Sequence, residues 1–179
     1  MNVSSENSSK TVAYRSFEDL EVYKTSREFR KTMYQVAKHL PDFEKFGLAS
    51  QIRRAAVSLT NNLAEGHGRF HFLDQIRFTL ISRGSLEELI DDLNVCFDEN
   101  YLPAGEVEKH KSVGWHLLKL MNGYLRYLRD RKFGTSLELR EMPPSYGADD
   151  EGELLEWLEE LSEQHPDLLP SHNTGPAHY

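Results

Sequence analysis

The sequence lacks several features that would place it in a class at once. Its 179 residues include one cysteine, Cys96, which excludes an internal disulfide and a cysteine-based zinc site. No stretch approaches the roughly 18 consecutive apolar residues of a membrane-spanning helix. The first ten residues contain no apolar segment of the kind that a secretory signal requires. These absences predict a chain with no membrane partner, working in the reducing cytoplasm.

Signatures of catalysis and cofactor binding are also missing. The sequence contains no Walker phosphate loop, no Gly-x-Gly-x-x-Gly and no Gly-x-Ser-x-Gly segment. It contains no Glu-x-x-His, which argues against the di-metal carboxylate sites of some helical bundles. His67 and His71 have a spacing that can hold zinc on a helix, but glycines interrupt this segment, and we prefer to interpret them as solvated turn histidines. We therefore expect no enzymatic activity, no metal and no cofactor.

Positive charge is absent from the last part of the chain. Residues 141–179 contain ten of the 29 acidic residues and none of the 21 lysines and arginines. The first 140 residues are consequently slightly basic, although the whole chain has a formal net charge of −8. A basic body can approach a polyanion, and an acidic extension opposes that approach or binds the same basic surface itself.

Apolar residues recur at steps of three, four and seven along four segments, which is the period of an amphipathic helix. No segment shows the strict alternation of a half-buried strand. The connections are short, which favours antiparallel neighbours. The sequence therefore predicts an all-α fold, an antiparallel up-down-up-down four-helix bundle with a C-terminal acidic extension. The predicted helices run from Ser16 to Leu40, from Phe46 or Gly47 to Gly66–Gly68, from His71 to Asn100 and from Ala104 to Lys132.

We assign this bundle to residues 16–133 and divide the flanking residues by composition. Residues 1–15 are rich in Ser and Asn and predict a disordered arm. Residues 134–148 contain two consecutive prolines and predict a linker. Residues 149–165 predict a short acidic amphipathic helix, and residues 166–179 a disordered tail.

The short acidic helix carries an apolar face formed by Trp157, Leu158 and Leu161. Acidic residues fill the rest of its surface, and they repel one another without a lysine partner. An isolated helix of this length is marginal in water. We therefore expect it to form mainly when the Trp/Leu face docks, and Trp157, Leu158 and Leu161 are the candidate partner-binding residues.

Glycines and the cysteine carry local predictions. Gly66 and Gly68 are expected to end the second helix through the left-handed conformation that glycine adopts at a C-cap. Gly84 lies inside the third helix, where glycine costs about 1 kcal/mol relative to alanine. A kink or the close approach of another helix would explain that cost. Cys96 and Phe97 fall in the apolar period of this helix, and Cys96 is expected to be a small core residue.

An acidic stripe is predicted on the third helix, made of Glu87, Glu88, Asp91 and Asp92. Two interpretations remain open. The stripe is either ordinary solvated charge or a set of ion-pair partners, within a subunit or across an interface. The candidate cations are Arg53, Arg54, Arg77 and Arg83.

The fourth helix carries the candidate nucleic-acid site. Lysine and arginine at helical spacing can each neutralise a phosphate, and Tyr124 and Tyr127 between them can stack on bases. The alternative is a solvated helix face whose positive end complements the C-terminal helix dipole. The candidate nucleic-acid-binding residues are Lys119, Arg126, Arg129, Arg131 and Lys132.

Several short motifs occur in order along roughly two-thirds of the chain. They are Phe17-Glu18-Asp19-Leu20, Phe46-Gly47-Leu48, Gln51-Ile52-Arg53-Arg54-Ala55, Asn62-Leu63-Ala64-Glu65-Gly66 and Gly84-Ser85-Leu86-Glu87-Glu88-Leu89. With these motifs the chain resembles the 23S rRNA intervening-sequence protein family, bacterial four-helix bundles that include the accessory variability protein of diversity-generating retroelements. The acidic extension after Phe133 lies outside the family core.

The resemblance implies a homopentameric ring, since family members assemble in this way. It also implies nucleic-acid binding and a reverse transcriptase as partner, because the retroelement member binds both. Aromatic residues beyond the needs of one bundle core agree with an oligomer. They are Phe17, Tyr23, Tyr34, Phe70, Phe72 and Phe78.

Two functional hypotheses follow. The first is an accessory factor that binds RNA or DNA and a protein partner. The second is a protein-interaction scaffold without a nucleic-acid role, which docks through its acidic C-terminal helix.

Overall fold

The computed structural model describes residues 16–132 and 151–164. Both ranges are helical and contain no strand, and the all-α prediction is confirmed. The predicted arm (1–15), linker (134–148) and tail (166–179) lie outside the described residues. The helices are α1 (Glu21–His39), α2 (Leu48–His67), α3 (Phe72–Asp98), α4 (Ala104–Lys132) and α5 (Glu151–Gln164), with short 3-10 helices at Phe17–Asp19 and Asp42–Lys45.

The four long helices form an antiparallel bundle. Each packs against the next in the chain, and α1 also packs against α4, which closes the bundle. Short connections permit this up-down-up-down order because the start of each helix lies beside the end of the one before it. The predicted bounds of α4 are confirmed, and α3 ends two residues before its predicted end because Asn100 takes a left-handed φ of 58°.

The chain enters the bundle through a capped turn at Ser16. Its hydroxyl accepts a hydrogen bond from the Glu18 amide at 3.3 Å, and the Ser16 amide donates to Asp19 Oδ2 at 2.9 Å. This reciprocal pair is a capping box that satisfies otherwise free backbone groups. It caps the 3-10 turn, and α1 begins only after Leu20.

The core is a continuous apolar layer between the four helices. Burial of each large side chain contributes roughly 1.5–3 kcal/mol, an amount reduced by the entropy of ordering it. The largest fully buried side chains are Phe29, Met33, Ile52, Leu59, Leu63, Ile76, Leu86, Leu89, Leu93, Leu117, Met121 and Leu125. All twelve lie in the four segments whose apolar period predicted the helices.

Close helix packing depends on two glycines. A Cβ on Gly114 would lie 2.9 Å from Ile90 Cγ1, so the absence of a side chain lets α4 approach α3. A Cβ on Gly66 would lie 2.9 Å from the Cβ of Phe78, at the α2–α3 corner. Both distances are shorter than carbon atoms tolerate, and alanine at either position forces the neighbour to move.

Four local predictions were wrong. Gly84 is exposed and lies in an unbroken helix, where an added Cβ would meet no neighbouring side chain of the described residues within 4 Å. Gly66 lies inside α2, and Gly68 caps this helix in the right-handed region with φ −76°, so neither glycine ends it through the left-handed conformation. Phe97 is half-exposed because it falls on the outer side of α3. Asp92 is buried and does not belong to the solvated acidic stripe.

Candidate nucleic-acid and partner interfaces

The predicted cations of α4 differ in how much of them solvent can reach. Lys119 is exposed, whereas Arg126 and Arg129 are each partly buried. Arg131 and Lys132 form the C-terminal end of α4. Solvent therefore reaches the Lys119 side chain directly, whereas it reaches Arg126 and Arg129 only in part.

Arg129 already contacts two groups of its own chain. Its Nε lies 3.1 Å from Asp130 Oδ1, and its guanidinium carbon lies 5.9 Å from the centroid of the Trp157 ring. The positive group over the ring face is a cation–π contact, which contributes about 0.5–1 kcal/mol at an exposed site. The candidate nucleic-acid residue Arg129 and the candidate partner residue Trp157 therefore meet within one chain.

The two tyrosines of α4 stack on each other. Their ring centroids lie 6.2 Å apart with an angle of 20° between the planes. Tyr124 is buried in the bundle core, so the prediction that it stacks on bases is wrong. Tyr127 is partly buried. The helical period puts Tyr124 on the same side as Leu128, which faces the other helices.

Helix α5 packs its apolar face on the bundle. Leu161 is 4% exposed and joins the core, while Trp157 and Leu158 are partly buried against it. The outward positions of α5 are acidic, with Glu156, Glu159, Glu160 and Glu163 exposed. The Trp/Leu face of α5 therefore docks on the bundle of its own chain. The acidic side chains of α5 lie beside the C-terminal part of α4.

A buried carboxylate lies between α2 and α3. Asp92 is 2% exposed, and its Oδ1 accepts a hydrogen bond from Gln51 Nε2 at 3.1 Å. Its Oδ2 is buried and has no hydrogen-bond partner among the described residues. The pKa of Asp92 is raised to about 6, mainly by burial and also by the nearby carboxylates of Glu88 and Asp91, against the lowering effect of Gln51. The sequence offered one signal for this, a position four residues before the buried Cys96.

Cys96 lies one turn along α3 from Asp92. The thiol is buried, and burial raises its pKa to about 11, helped by the negative charges of Asp92 and Glu44. Since the thiolate is the nucleophile, a thiol that stays protonated near neutral pH is unreactive. The interpretation of Cys96 as a core residue is confirmed by its burial.

Glu44 joins the two loops at one end of the bundle. Its Oε2 accepts a hydrogen bond from the Leu48 amide at 2.9 Å, and its Oε1 accepts one from the Tyr101 hydroxyl at 3.0 Å. The first contact caps α2, and the second ties the α1–α2 loop to the α3–α4 loop. Sequence reasoning missed Glu44, because an acid in a short loop carries no pattern.

Exposed aromatic rings lie at both ends of the bundle. Phe46 is 88% exposed and Phe43 lies beside it, in the α1–α2 loop, while Phe70 is 97% exposed in the α2–α3 loop. Of the predicted surplus rings, Phe70 stays exposed, and Phe17 and Tyr23 pack edge to face with centroids 4.8 Å apart. The most exposed of the large apolar side chains therefore lie in the loops, and α3 and α4 add the less exposed Val95, Phe97, Val113 and Trp115.

The acidic stripe of α3 keeps three of its four predicted members on the surface. Glu87 pairs with Arg83 at 3.2 Å, one of the predicted cations, on the same helix. Arg53 instead donates to the backbone oxygen of Lys45 at 2.9 Å. Exposed pairs of this kind contribute little to stability, at most about 1 kcal/mol each.

Neither a membrane span nor a metal centre is found in the described ranges. None of their helices is both long enough and apolar enough to cross a membrane. Among the same residues, no three His, Cys, Asp or Glu side chains are placed to hold a metal ion. His67, one of the two spaced histidines, packs its ring against Phe17, with centroids 6.4 Å apart.

These features define an all-α protein of the antiparallel four-helix-bundle class, with a cation-rich end on α4. The family model described as 23S rRNA-intervening sequence protein matches residues 18–123, more than half of the chain. The chain belongs to this family. A search of curated proteins gave no match.

Proposed function

We propose that the protein is a non-enzymatic, oligomeric accessory factor of the cytoplasm that binds nucleic acid and a protein partner. A reverse transcriptase of a diversity-generating retroelement is the candidate partner, and a homopentamer the candidate assembly. Both follow from the resemblance carried by the ordered motifs between Phe17 and Leu89. Family membership supports the bundle, and the charges of α4 support the nucleic-acid role.

The observation that carries the proposal is the charge of the last turns of α4. From residue 119 to residue 132 the helix contains five lysines and arginines and one acid, Asp130. Each cation near a phosphate releases a counterion, so such a surface favours a polyanion at low salt. Copies of the surface in a ring multiply a weak contact by avidity.

Absence of catalysis is part of the proposal. The buried Cys96 thiol, with its raised pKa, is a poor nucleophile. Asp92 also has a raised pKa, but it is 2% exposed and out of reach of a substrate. The side chains of Cys96 and Asp92 are therefore interior residues of the bundle and not catalytic groups.

Oligomer formation is supported by the exposed rings of Phe43, Phe46 and Phe70. A stable interface typically has apolar and aromatic side chains at its centre. Light scattering at micromolar concentration is expected to give a mass well above the 20.7 kDa of one chain. A stable monomer contradicts this part of the proposal.

The nucleic-acid role is tested by replacing Arg126, Arg129 and Lys132 together with alanine. Binding of labelled RNA and DNA is expected to weaken. The dependence of log affinity on log salt should also become less steep, by about 0.7–0.9 for each phosphate that the variant no longer neutralises. The matched control replaces three cations outside the last turns of α4, Lys45, Arg77 and Lys109. If the two triple variants bind nucleic acid with the same affinity and salt dependence, the last turns of α4 are not the binding site.

A scaffold without a nucleic-acid role is the second candidate. The observation that favours it is α5, which presents exposed acidic side chains and whose Trp157 is only partly buried against the bundle. Deleting residues 141–179 separates the candidates. An accessory factor is expected to bind RNA or DNA more tightly once the acidic segment is gone. A truncated protein that binds neither RNA nor DNA at low salt supports the scaffold.

A further inference from the structure

We infer that the groove between α1 and α2 is a second contact surface for single-stranded nucleic acid, separate from the end of α4. The inference rests on the proposed function and adds a site and a strand preference to it. In this groove Arg30 and Lys31 hold phosphates, and Tyr34 contacts a base.

The groove is an open cavity of about 450 Å³ on the surface of the bundle. Its lining combines two cations, an aromatic ring, an amide and one aliphatic side chain. These residues are Arg30, Lys31, Tyr34, Gln35 and Val57. Every side chain of this lining that is charged at neutral pH is positive, so the groove favours an anionic ligand.

Arg30 is held in position before any ligand arrives. Its Nη1 donates to Thr60 Oγ1 on α2 at 2.8 Å, and the side chain is partly buried. A guanidinium has five N–H donors in a planar fork that matches a phosphate. Because one donor is already fixed, little side-chain entropy remains to be lost when the others bind.

Lys31 contributes a second charge at the groove's outer edge. Its Nζ pairs with Glu28 Oε1 at 2.7 Å, and both side chains are more than half exposed. A pair in this setting contributes little free energy, so a phosphate can take the place of the carboxylate at small cost. Glu28 lies on the side of α1 away from Arg30.

The charge of the groove continues along both helices. Arg27 and Lys38 are exposed and lie one turn from Lys31 and Tyr34 on the same side of α1. On α2, Arg53 and Arg54 precede the groove, and no acid occurs between Leu48 and Ala64. α3 has the opposite character, with six acids and two arginines in its length.

A single strand fits this lining better than a duplex. Tyr34 and Val57 offer a ring and an apolar surface beside the cations, and unstacked bases bind aromatic side chains in a way that paired bases cannot. A binding mode based on charge alone would not use these two residues. The combination of phosphate contacts with a ring is typical of surfaces that bind single strands without sequence preference.

The test uses the full chain and labelled 20-nucleotide oligo(dT) and oligo(U), with a 20-base-pair DNA duplex for comparison. The double variant Arg30→Gln/Lys31→Gln is expected to bind single strands about tenfold more weakly, with a salt slope reduced by about 1.4, which is 0.7 for each of two phosphates. The matched control, Arg77→Gln/Lys109→Gln, removes the same charge elsewhere and is expected to bind like the wild type.

Tyr34→Leu tests the ring without changing charge. It is expected to weaken single-strand binding about tenfold and to leave duplex binding unchanged, whereas Tyr34→Phe keeps the wild-type affinity. Helical circular dichroism checks that each variant is folded. Since Lys31 is exposed, Lys31→Gln alone serves should the Arg30 change disturb the bundle.

The outcomes separate the two proposals. If the wild type binds oligonucleotides and the groove variant binds them as tightly as the control variant does, the groove is not a contact surface. The proposed function then stays in place. Absence of wild-type binding to any oligonucleotide at low salt overturns the nucleic-acid function itself. Groove-dependent binding of poly-L-glutamate in place of oligonucleotides shows that the groove takes acidic protein segments, and it also overturns the inference.

Discussion

The guanidinium of Arg129 on α4 lies 5.9 Å from the centre of the Trp157 ring on α5. This contact links the cation-rich end of the bundle to the acidic helix of the same chain. With Leu161 buried on the same face of α5, Trp157 positions four exposed glutamates next to the proposed α4 site. We therefore expect the acidic helix to compete with nucleic acid for the proposed α4 site.

Replacing Trp157 with alanine is expected to strengthen nucleic-acid binding at α4. The change removes a contact of about 0.5–1 kcal/mol together with apolar packing, so α5 leaves its place more often. We expect an affinity gain of about threefold to tenfold, measured by fluorescence anisotropy at low salt. Trp115→Ala is the control, because Trp115 is half-exposed on α4. Unchanged affinity after Trp157→Ala argues against competition by α5.

Asp92 predicts an unusual dependence of stability on pH. Its pKa is about 6 in the folded chain and 3.8 in its ordinary state, so the folded state binds more protons between these values. The free energy of unfolding is therefore expected to fall as pH rises from about 4 to 6 and then to level off. The charged neighbours are Glu88 and Asp91 on α3, and α2 contributes the neutral amide of Gln51.

Asp92→Asn is expected to remove this dependence and to stabilise the bundle near pH 7.5. The gain has an upper limit of roughly 3 kcal/mol, since one pKa unit corresponds to about 1.4 kcal/mol. Urea unfolding at pH 4, 5, 6 and 7.5 measures it. Asp91→Asn, at an exposed position, should change stability by no more than about 0.5 kcal/mol. If the free energy of unfolding depends on pH in the same way for the wild type and Asp92→Asn, burial of the Asp92 carboxylate does not destabilise the bundle.

Two glycines within helices predict effects of opposite sign. Gly114→Ala is expected to destabilise the bundle by about 1–3 kcal/mol, because the new Cβ meets Ile90 Cγ1 at 2.9 Å. Gly84→Ala is expected to stabilise it by about 1 kcal/mol, since the new Cβ meets no neighbouring side chain of the part of the chain that the structure describes, and alanine favours the helix. Thermal and urea unfolding of the pair measure both effects. Stabilisation by Gly114→Ala would contradict the close packing of α3 and α4.

The sequence predicted the helices well because each long stripe obeys one period. The bounds of α4 followed from Pro103 before it and from the uninterrupted period up to Lys132. The same logic misplaced Asp92: four residues separate it from Glu88, which suggested a shared solvated stripe. Asp92 lies four residues from Cys96 as well, so helix spacing alone gave two conflicting signals. Its burial depends on the neighbouring α2, whose Gln51 donates a hydrogen bond to it.

The candidate sites were predictable only in part. Charge spacing found the cations of α4, but it did not show that Trp157 covers Arg129. It also missed the α1–α2 groove, because Arg30 and Val57 come together only when the two helices pack. A residue's neighbours across the bundle decide whether its charge faces solvent, and these neighbours are distant in sequence.

The hydrogen bonds of Glu44 make the two ends of the bundle unequal. At the end that contains Glu44, the α1–α2 loop and the α3–α4 loop both bind its carboxylate, so neither loop detaches without disturbing the other. The corner around Gly68 is held instead by local hydrogen bonds within residues 64–75. Amide hydrogen exchange is therefore expected to proceed faster around the α2–α3 corner than around Leu48 and Tyr101. We expect local unfolding of the bundle to begin beside Phe70.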